Sequence, residues 1–231
     1  MNEEMIEKNL GVQFVNKDLL KKAFTHRSYL NENREQGLEN NERLEFLGDA
    51  VLELIVSSKL FYEYPLRTEG ELTNIRSALV RTESLAKESR RLEVGEHLLM
   101  SKGEEDSGGK DKDYLLANAY EAILGAIYID QGLKKCEEFV EMTILKSLSN
   151  IIDNELFIDP KTKVQEMVQA KYKVTPSYDV IKEDGPDHDK SFTVTLKVNK
   201  NILAEGFGLS KQKAEEDAAQ KAIDILMKDK E

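Results

Sequence analysis

Apolar residues recur every three or four positions through most of the first 150 residues, and short breaks that contain Gly or Asn separate the runs. This spacing is typical of amphipathic helices. The alternation of apolar and polar residues that marks a half-buried strand is almost absent there. We therefore predict an all-helical domain over residues 1–152, in which the polar, glycine-punctuated stretch 101–113 is a surface loop.

The pattern changes after residue 152. Residues 153–159 suggest a short linker, and Pro160 begins a helix that runs to about Tyr172. Three alternating stretches and a final helical one follow, at Ser177–Glu183, Ser191–Val198, Ile202–Phe207 and Lys211–Lys228. The order α-β-β-β-α predicts a small α+β domain over residues 160–231.

The predicted helix over residues 44–55 has two different faces. Its core-facing stripe is formed by Leu44, Leu47, Val51, Leu54 and Ile55. An adjoining face carries acids at spacings of three and four, namely Glu42, Glu45, Asp49 and Glu53. Neighbouring carboxylates repel one another unless a cation lies among them, and Mg²⁺ commonly takes one or two carboxylates together with waters and phosphates. The acids are therefore either half of a metal-dependent phosphodiester-cleaving site or an ordinary solvated helix face.

A second helix, predicted over Tyr114–Asp130, is apolar around nearly its whole circumference, which indicates burial. Asn118 and Glu121 interrupt it, three residues apart and therefore on one side. An ionised glutamate in an apolar setting is unfavourable unless it is paired or binds a metal. Glu121 is thus a candidate metal ligand, with an ion pair to Arg43 or Arg76 as the alternative.

Phe46 lies between two acids of the first helix and therefore points away from the main apolar stripe. Exposed aromatic side chains often mark protein interfaces. Phe46 is either such an interface residue or an additional core residue.

Residues 41–52, NERLEFLGDAVL, resemble the signature of the ribonuclease III family, the metal-dependent endonucleases of double-stranded RNA. Other segments resemble the family's N-terminal and middle regions, namely LGVQF at 10–14, AFTHRSY at 23–29 and EGELT at 69–73. Residues 158–227 resemble its double-stranded-RNA-binding domain. The resemblance covers nearly the whole chain and implies an all-helical endonuclease domain followed by that RNA-binding domain.

The resemblance implies four principal metal-site carboxylates, which match Glu45, Asp49 and positions 118 and 121. From this match we predict Glu45, Asp49 and Glu121 as metal ligands, with Asp49 and Glu121 catalytic. Asn118 stands where the family most often has aspartate. Its amide oxygen can still bind a cation or a water, so we keep Asn118 as an auxiliary ligand. The lost negative charge predicts weaker metal binding or a changed metal preference.

Two further acids, Glu42 and Glu69, match family acids near the site, and we predict supporting roles for them, with surface positions as the alternative. Glu69 resembles an acid that reaches towards the partner subunit. Phe46 matches a phenylalanine that inserts into a pocket of a twofold-related subunit. The resemblance thus implies a homodimer with one active site for each RNA strand.

The family's chemistry is hydrolysis of double-stranded RNA by a metal-activated water, which leaves 5′-phosphates and staggered 3′ overhangs. The resemblance therefore implies Mg²⁺ as cofactor, with Mn²⁺ as a substitute, and processing of ribosomal and other RNA precursors as the usual setting. No small-molecule cofactor is expected. The alternative is an RNA-binding regulator that keeps the fold but has lost turnover through Asn118.

Three stretches of the C-terminal domain resemble the family's contacts to RNA, which is recognised through minor-groove hydroxyls and phosphates. The candidate residues are Thr162, Gln165, Glu166 and Gln169 on the first helix, His188 in the segment GPDH at 185–188, and Ser210, Lys211 and Lys213 in GFGLSKQKAE at 206–215. The GPDH segment also fits a simple surface turn.

The last helix is predicted to begin at a site suited to phosphate, because Ser210 is a good N-cap and two lysines follow it. The family commonly has lysine at the position of Gln212 and often at that of Glu215. With fewer cations, we predict weaker RNA binding and a shallower salt dependence.

The net charge of −11 argues at first against a nucleic-acid partner, since phosphate contacts need Lys and Arg. The acidity is unevenly distributed, however. Residues 1–157 carry a net charge of −10, whereas the remainder carries −1. The acidic part is the part expected to hold metal ions.

The single cysteine, Cys136, excludes an internal disulfide and a cysteine-based zinc site. The acidic N-terminus lacks the features of a signal peptide, and no apolar run approaches membrane-spanning length. We therefore expect a cytoplasmic protein without a membrane partner. The three histidines share no ligand-like spacing, and we predict a structural role for His26.

Overall fold

The computed structural model describes residues 1–33, 37, 39–186 and 190–228. The chain divides into two compact units, Met1–Phe157 and Ile158–Glu231. The division falls within the stretch 153–159, and Phe157 packs against the core of the first unit. Within the described ranges, no helix is both long enough and apolar enough to cross a membrane.

The first unit is helical, as predicted. Its helices are α1 (Glu3–Leu10), α2 (Lys17–Ala23), α3 (Arg27–Glu32), α4 (Glu42–Glu63), α5 (Glu69–Val80), α6 (Thr82–Arg91), α7 (Val94–His97), α8 (Lys102–Asp106), α9 (Asp113–Gln131), α10 (Leu133–Met142) and α11 (Leu148–Asp153). Short 3-10 turns lie at Gly109–Asp111 and Ile144–Ser147.

The α9 helix is the centre of this unit, because apolar side chains surround it. Leu116, Ile123 and Ile127 are completely buried. Burial of each such side chain contributes roughly 1.5–3 kcal/mol. Tyr120 is also fully buried, and its hydroxyl lies 2.6 Å from Oγ1 of Thr143, which satisfies its polar group. The predicted burial of this helix is confirmed.

The α4 helix packs directly against α9 through two glycines. A Cβ atom at Gly48 would lie 1.7 Å from the carbonyl oxygen of Glu121, and one at Gly125 would lie 2.1 Å from that of Leu44. Both separations are far below van der Waals contact. Only glycine at these two positions allows the backbones to approach so closely, and the approach occurs at the level of the acidic face of α4.

The stretch 101–113 is not the loop that its composition predicts. Ser101 caps α8 by accepting the N–H of Glu104 at 3.3 Å, and Lys112 holds the Glu104 carboxylate at 2.7 Å. Gly109 in the following 3-10 turn is buried. The prediction was wrong because caps and ion pairs order this segment, and a polar composition does not reveal them.

The second unit has the predicted order of elements. It contains α12 (Pro160–Tyr172), β1 (Ser177–Asp184), β2 (Ser191–Val198), β3 (Asn201–Gly208) and α13 (Lys211–Lys228). The strands form one antiparallel sheet in the order β1-β2-β3. Both helices cover one face of the sheet, where Val164, Val168, Leu196 and Ala222 are fully buried.

Glycines also set the packing of α13 on β3. A Cβ atom at Gly206 would lie 2.1 Å from the carbonyl oxygen of Ala214, and one at Gly208 would lie 2.5 Å from the Ala214 nitrogen. Ala218 and Ala219 are fully buried beside them. The backbone of α13 therefore lies directly on the strand, which fixes the start of this helix relative to the sheet.

Candidate active site and RNA-binding surface

The close contact of α4 with α9 brings three predicted ligands into one electrostatic group. Gly48, whose Cα faces the Glu121 backbone, lies between Glu45 and Asp49 along the chain. The pKa of the Glu121 carboxyl is raised to about 8. Burial is the largest cause, and the charges of Asp49 and Glu45 add to it. At neutral pH without a cation, Glu121 therefore keeps its proton.

Glu45 responds to the same environment. Its pKa is raised above the ordinary value, first by burial and then by the charges of Glu42 and Asp49. Raised pKa values on adjacent acids show that the carboxylates repel one another and have no compensating cation. A bound divalent ion would reverse both shifts.

An ion pair between Glu121 and an arginine, the alternative weighed from sequence, is wrong for Arg76. The Arg76 guanidinium pairs with Glu53 at 2.9 Å and donates to Oγ of Ser57 at 2.8 Å. In the described part of the chain, Glu121 has no ion pair with any residue, Arg43 included. Its carboxyl group is thus left for another partner.

The acids do not form a closed cage. Among the described residues, no group of three or more His, Cys, Asp or Glu side chains lies close enough together to hold a metal ion by itself. Mg²⁺ in phosphoryl-transfer sites usually keeps several waters and binds through one or two carboxylates plus substrate oxygens. The oxygen-rich, open arrangement fits that mode of binding and does not fit an all-protein site.

Asn118 lies on α9 one turn before Glu121 and lines a cavity of about 460 Å³ together with Glu42 and Glu45. The same cavity is lined by His26 and Arg27 from the start of α3. The predicted neighbours Glu42, Glu45 and Asn118 are therefore brought together, and the cavity gives a substrate access to them.

Glu69 is not in this cavity. It begins α5, accepts a hydrogen bond from the Thr73 hydroxyl at 3.1 Å, and lines a separate cavity of about 660 Å³. Within a single copy of the chain, Glu69 therefore does not join the acids of α4 and α9.

Phe46 is 81% exposed, so the alternative of an additional core residue is wrong. Its neighbours Glu45 and Leu47 are partly buried, which leaves the ring as the most exposed part of this turn of α4. The interface role stays a prediction.

His26 has local partners. Its Nδ1 lies 2.8 Å from the Ser28 hydroxyl and accepts the Ser28 backbone N–H at 3.3 Å, which caps α3. Burial, the largest cause, lowers its pKa. The cap gives His26 a structural role at the edge of the cavity.

Sequence reasoning missed two contributors to the site. No sequence signal pointed to Gly125, although a Cβ there would lie 2.1 Å from the Leu44 carbonyl oxygen, compared with 1.7 Å between a Cβ at Gly48 and the Glu121 carbonyl oxygen. Arg27 was quoted only as part of the AFTHRSY segment. No local pattern signals that a residue at the start of α3 faces the acids of α4, because that proximity arises from the fold.

The first predicted RNA contact surface is an exposed face of α12. Thr162, Gln165, Glu166 and Gln169 are all exposed, while Val164 and Val168 of the same helix are buried. Asp159 caps the helix by accepting the N–H of Thr162 at 3.0 Å. Hydrogen-bonding side chains therefore occupy the solvent side of α12. The second predicted contact, His188, lies outside the described residues.

The third surface is the start of α13. The Ser210 hydroxyl accepts the N–H of Lys213 at 3.2 Å, so its predicted role as N-cap is confirmed. Lys211 pairs with Glu183 of β1 at 2.9 Å, with more than half of the lysine side chain exposed. Lys213 is exposed and makes no ion pair with any described residue. One free cation and one weakly held cation thus stand at this helix start.

Gln212 and Glu215, where the family commonly has lysine, have different roles. Gln212 donates to the Glu216 carboxylate at 2.8 Å on the surface. Glu215 pairs with Lys161 at 2.5 Å, which links α13 to α12. Glu215 therefore contributes to packing between the helices, and the sequence did not reveal this.

Comparison with known proteins gives the same division of the chain. A family model described as Ribonuclease-III-like matches residues 16–148, and one described as double-stranded RNA binding motif matches residues 160–226. The chain is 45% identical over 219 residues to Ribonuclease 3 of Pelotomaculum thermopropionicum, covering 95% of this chain and 91% of that protein. It is 44% identical over 221 residues to Ribonuclease 3 of Lactococcus lactis subsp. cremoris, covering 96% and 95%.

A solved structure is also similar. The nuclease domain of ribonuclease III from Campylobacter jejuni aligns with a TM-score of 0.58 at 42% identity, covering 63% of this chain and 97% of that one. That structure is described as showing flexibility in a region involved in dimer formation.

Proposed function

The chain belongs to the ribonuclease III family, and we propose that it is an endoribonuclease that hydrolyses double-stranded RNA at the acids shared by α4 and α9. The observation that carries the placement of the site is the glycine-mediated contact of these helices. It buries Glu121 near Glu45 and Asp49, and burial together with the charges of these two acids raises the pKa of Glu121 to about 8. Repelling, partly buried acids beside an open cavity are what a divalent cation would stabilise.

We assign Glu45, Asp49 and Glu121 as ligands of Mg²⁺, with Mn²⁺ as a substitute. Their hard oxygen donors and the absence of an internal counter-cation among the described residues support this choice. When bound, the ion would lower the pKa of a coordinated water and offset charge on the leaving oxygen. Asp49 and Glu121 would be the catalytic acids that hold the ion, and Glu42 would support the site from the cavity wall.

Asn118 makes the site less negative than the family's usual arrangement. Its amide oxygen can accept a hydrogen bond from a metal-bound water, whereas its NH₂ group can donate to a phosphate oxygen. We infer that turnover continues with a higher metal requirement. The regulator alternative has no observation in its favour, because the relatives named Ribonuclease 3 align along nearly their whole length.

We propose a homodimer in which Phe46 of each copy enters the second cavity of the other. That cavity, of about 660 Å³, is lined by Leu60, Phe61, Tyr62 and Leu72 in addition to Glu69. An exposed phenyl ring would gain by burial among these side chains. Because Phe46 adjoins Glu45, the insertion would bring Glu69 near the acids of the other copy. Sedimentation velocity tests this contact: we expect a dimer for the natural chain and monomers for Phe46→Ala, and a dimeric variant would refute it.

The second unit would hold the RNA duplex. The exposed face of α12 offers hydrogen-bonding groups to a minor groove, and Lys211 and Lys213 offer charge to phosphates at the start of α13. We propose that His188 contacts a second minor groove of the RNA, and this assignment rests on the family resemblance alone. Precursors of ribosomal and other RNAs, in the cytoplasm, are the proposed substrates.

A cleavage assay tests the function. Purified protein is incubated with a long RNA duplex and Mg²⁺ or Mn²⁺, and the ends of the products are mapped. We expect 5′-phosphates and staggered 3′ overhangs. Duplex that is retained but remains uncut with both metals at saturating protein would overturn the nuclease and favour the regulator.

A further inference from the structure

Among the described residues, one side chain that lines the cavity beside the acids carries a permanent positive charge. Of the described residues that line it, Arg27 is the only Arg or Lys, whereas Glu42, Glu45 and Glu104 are acids. We propose that Arg27 contacts a phosphate of the RNA backbone next to the scissile bond, and that Glu42 holds the guanidinium in place when RNA is absent. This inference deepens the proposed function and rests on it.

The backbone before Arg27 is fixed against two other parts of the unit. The N–H of His26 donates to the Leu99 carbonyl at 2.9 Å, and that of Leu99 donates to the Phe24 carbonyl at 2.8 Å. The N–H of Asn41, immediately before α4, donates to the Thr25 carbonyl at 2.9 Å. These bonds set the first residue of α3 beside the first turn of α4, so the placement of Arg27 near Glu42 follows from the fold.

The pair that Arg27 makes is easy to break. A guanidinium nitrogen lies 3.5 Å from the Glu42 carboxylate, and the two side chains are 73% and 52% exposed. Exposed pairs of this kind contribute little to stability, because solvent screens the two charges. Arg27 can therefore exchange Glu42 for a phosphate at little cost, and a guanidinium binds phosphate through paired hydrogen bonds.

Apart from Arg27, the described residues around the cavity leave no positive charge available to a phosphate. Lys112 already holds Glu104 at 2.7 Å, while burial lowers the pKa of His26 and so favours its neutral form. A phosphodiester that enters between Glu42 and Glu45 would meet negative charge on both. Arg27 offsets this repulsion for the phosphate next to the reacting one.

Steady-state cleavage of a long RNA duplex at several KCl concentrations tests the proposal. We expect Arg27→Gln to raise KM about five- to tenfold, while kcat changes less than about twofold, because a binding contact away from the reacting bond is lost. The slope of log(kcat/KM) against log salt should become shallower by about 0.9, the value for one phosphate contact. Arg27→Lys should restore the salt slope and part of the KM.

Lys135→Gln is the matched control. It also removes one positive charge from the first unit, but Lys135 lies on α10, pairs with Glu138 and does not line the cavity. An Arg27→Gln variant whose KM and salt slope equal those of Lys135→Gln would overturn the proposal. A lower thermal midpoint with an unchanged KM would show instead that the pair with Glu42 is only structural.

Failure of the proposed function is recognised separately, because the natural chain would then not cut. In that case the same variants are compared by retention of duplex RNA without metal. Weaker retention with a shallower salt slope for Arg27→Gln alone would support the contact, and retention equal to that of Lys135→Gln would refute it.

Discussion

Glu45, Asp49 and Glu121 of the candidate site in the first unit have no ion pair with any described residue, whereas the charged residues around the RNA surface in the second unit are largely paired. Glu121 and Glu45 both have raised pKa values because neighbouring acids and burial act together. In the second unit, Lys161 pairs with Glu215 and Lys211 pairs with Glu183. A cation that bound at the acids of the first unit would therefore relieve repulsion, whereas a phosphate that bound at the lysines of the second unit would compete with their existing ion pairs.

This difference separates two ways in which a protein prepares for an anionic substrate. The proposed metal site holds unfavourable interactions between acids that the packing of α4 on α9 must keep together, and it would gain stability if a cation bound. The RNA surface is stable on its own, and its exposed pairs are weak, screened by salt and easily exchanged for phosphate. Four substitutions separate these effects. They alter the packing of α4 on α9, the repulsion between the acids, the charge of the proposed metal site and the charge of the RNA surface.

Gly48→Ala should have the largest effect, because the new Cβ would lie 1.7 Å from the carbonyl oxygen of Glu121. The helices must separate, and we expect a loss of about 3 kcal/mol or more in the free energy of unfolding. Cleavage should fall with it. Urea denaturation measures the stability. Gly70→Ala on α5 is the control, since no atom lies within 4 Å of its Cβ. Equal stabilities of the two variants would refute the close packing.

Glu121→Gln should lower cleavage at least about 100-fold while sparing RNA retention, since it removes a metal ligand without changing shape. Whereas cleavage should fall, the free energy of unfolding of this variant should rise relative to the natural chain without metal. The folded pKa of about 8 lies above the unfolded value, so the natural chain without metal loses stability as pH rises from about 4.5 to about 8. Denaturation in EDTA across this range should show a flatter profile for the variant. Parallel profiles would contradict the raised pKa.

Asn118→Asp should lower the Mg²⁺ concentration needed for half-maximal cleavage by about tenfold, equivalent to about 1.4 kcal/mol. The added carboxylate supplies the charge that the cavity lacks beside Glu45. Metal titrations of the cleavage rate measure the change. An unchanged or raised requirement would mean that Asn118 is not near the metal. Asn150→Asp, on the exposed surface of α11, adds the same charge away from this cavity and serves as control.

Gln212→Lys should have the smallest effect and should act in the second unit. It adds a cation between Lys211 and Lys213 at the capped start of α13, where we expect RNA binding to tighten about threefold at moderate salt. The salt dependence of retention should steepen by about 0.9 in log-log slope. Glu216→Gln changes the net charge by the same amount and keeps an acceptor for the Gln212 amide, so an equal gain would show that net charge, and not a cation between the two lysines, is responsible.

Periodic patterns along the chain were sufficient to predict that the first unit is helical and that the second has the order α-β-β-β-α. The nearly fully apolar circumference of α9 predicted its burial, and it made Glu121 conspicuous as an acid within apolar surroundings. The Ser210 cap was also predictable, because it depends only on residues next to it in sequence.

Features that depend on distant residues were not predictable. The contact of Gly125 with Leu44, the pair of Arg76 with Glu53 and the pair of Glu215 with Lys161 each join separate elements. Neither spacing nor composition encodes which element will lie opposite. The order of 101–113 was missed for a related reason, since short caps and ion pairs stabilise it without an apolar stripe.

The central claim is that the acids of α4 and α9 form a site that is completed by a divalent cation. Calorimetric titration of the natural chain with Mn²⁺ at pH 7, in two buffers of different ionisation enthalpy, tests it without RNA. Because Glu121 keeps a proton at this pH, we predict metal binding with release of close to one proton per site, and Glu121→Gln should release none. Metal binding with no dependence on the buffer, or equal proton release by both proteins, would contradict the account.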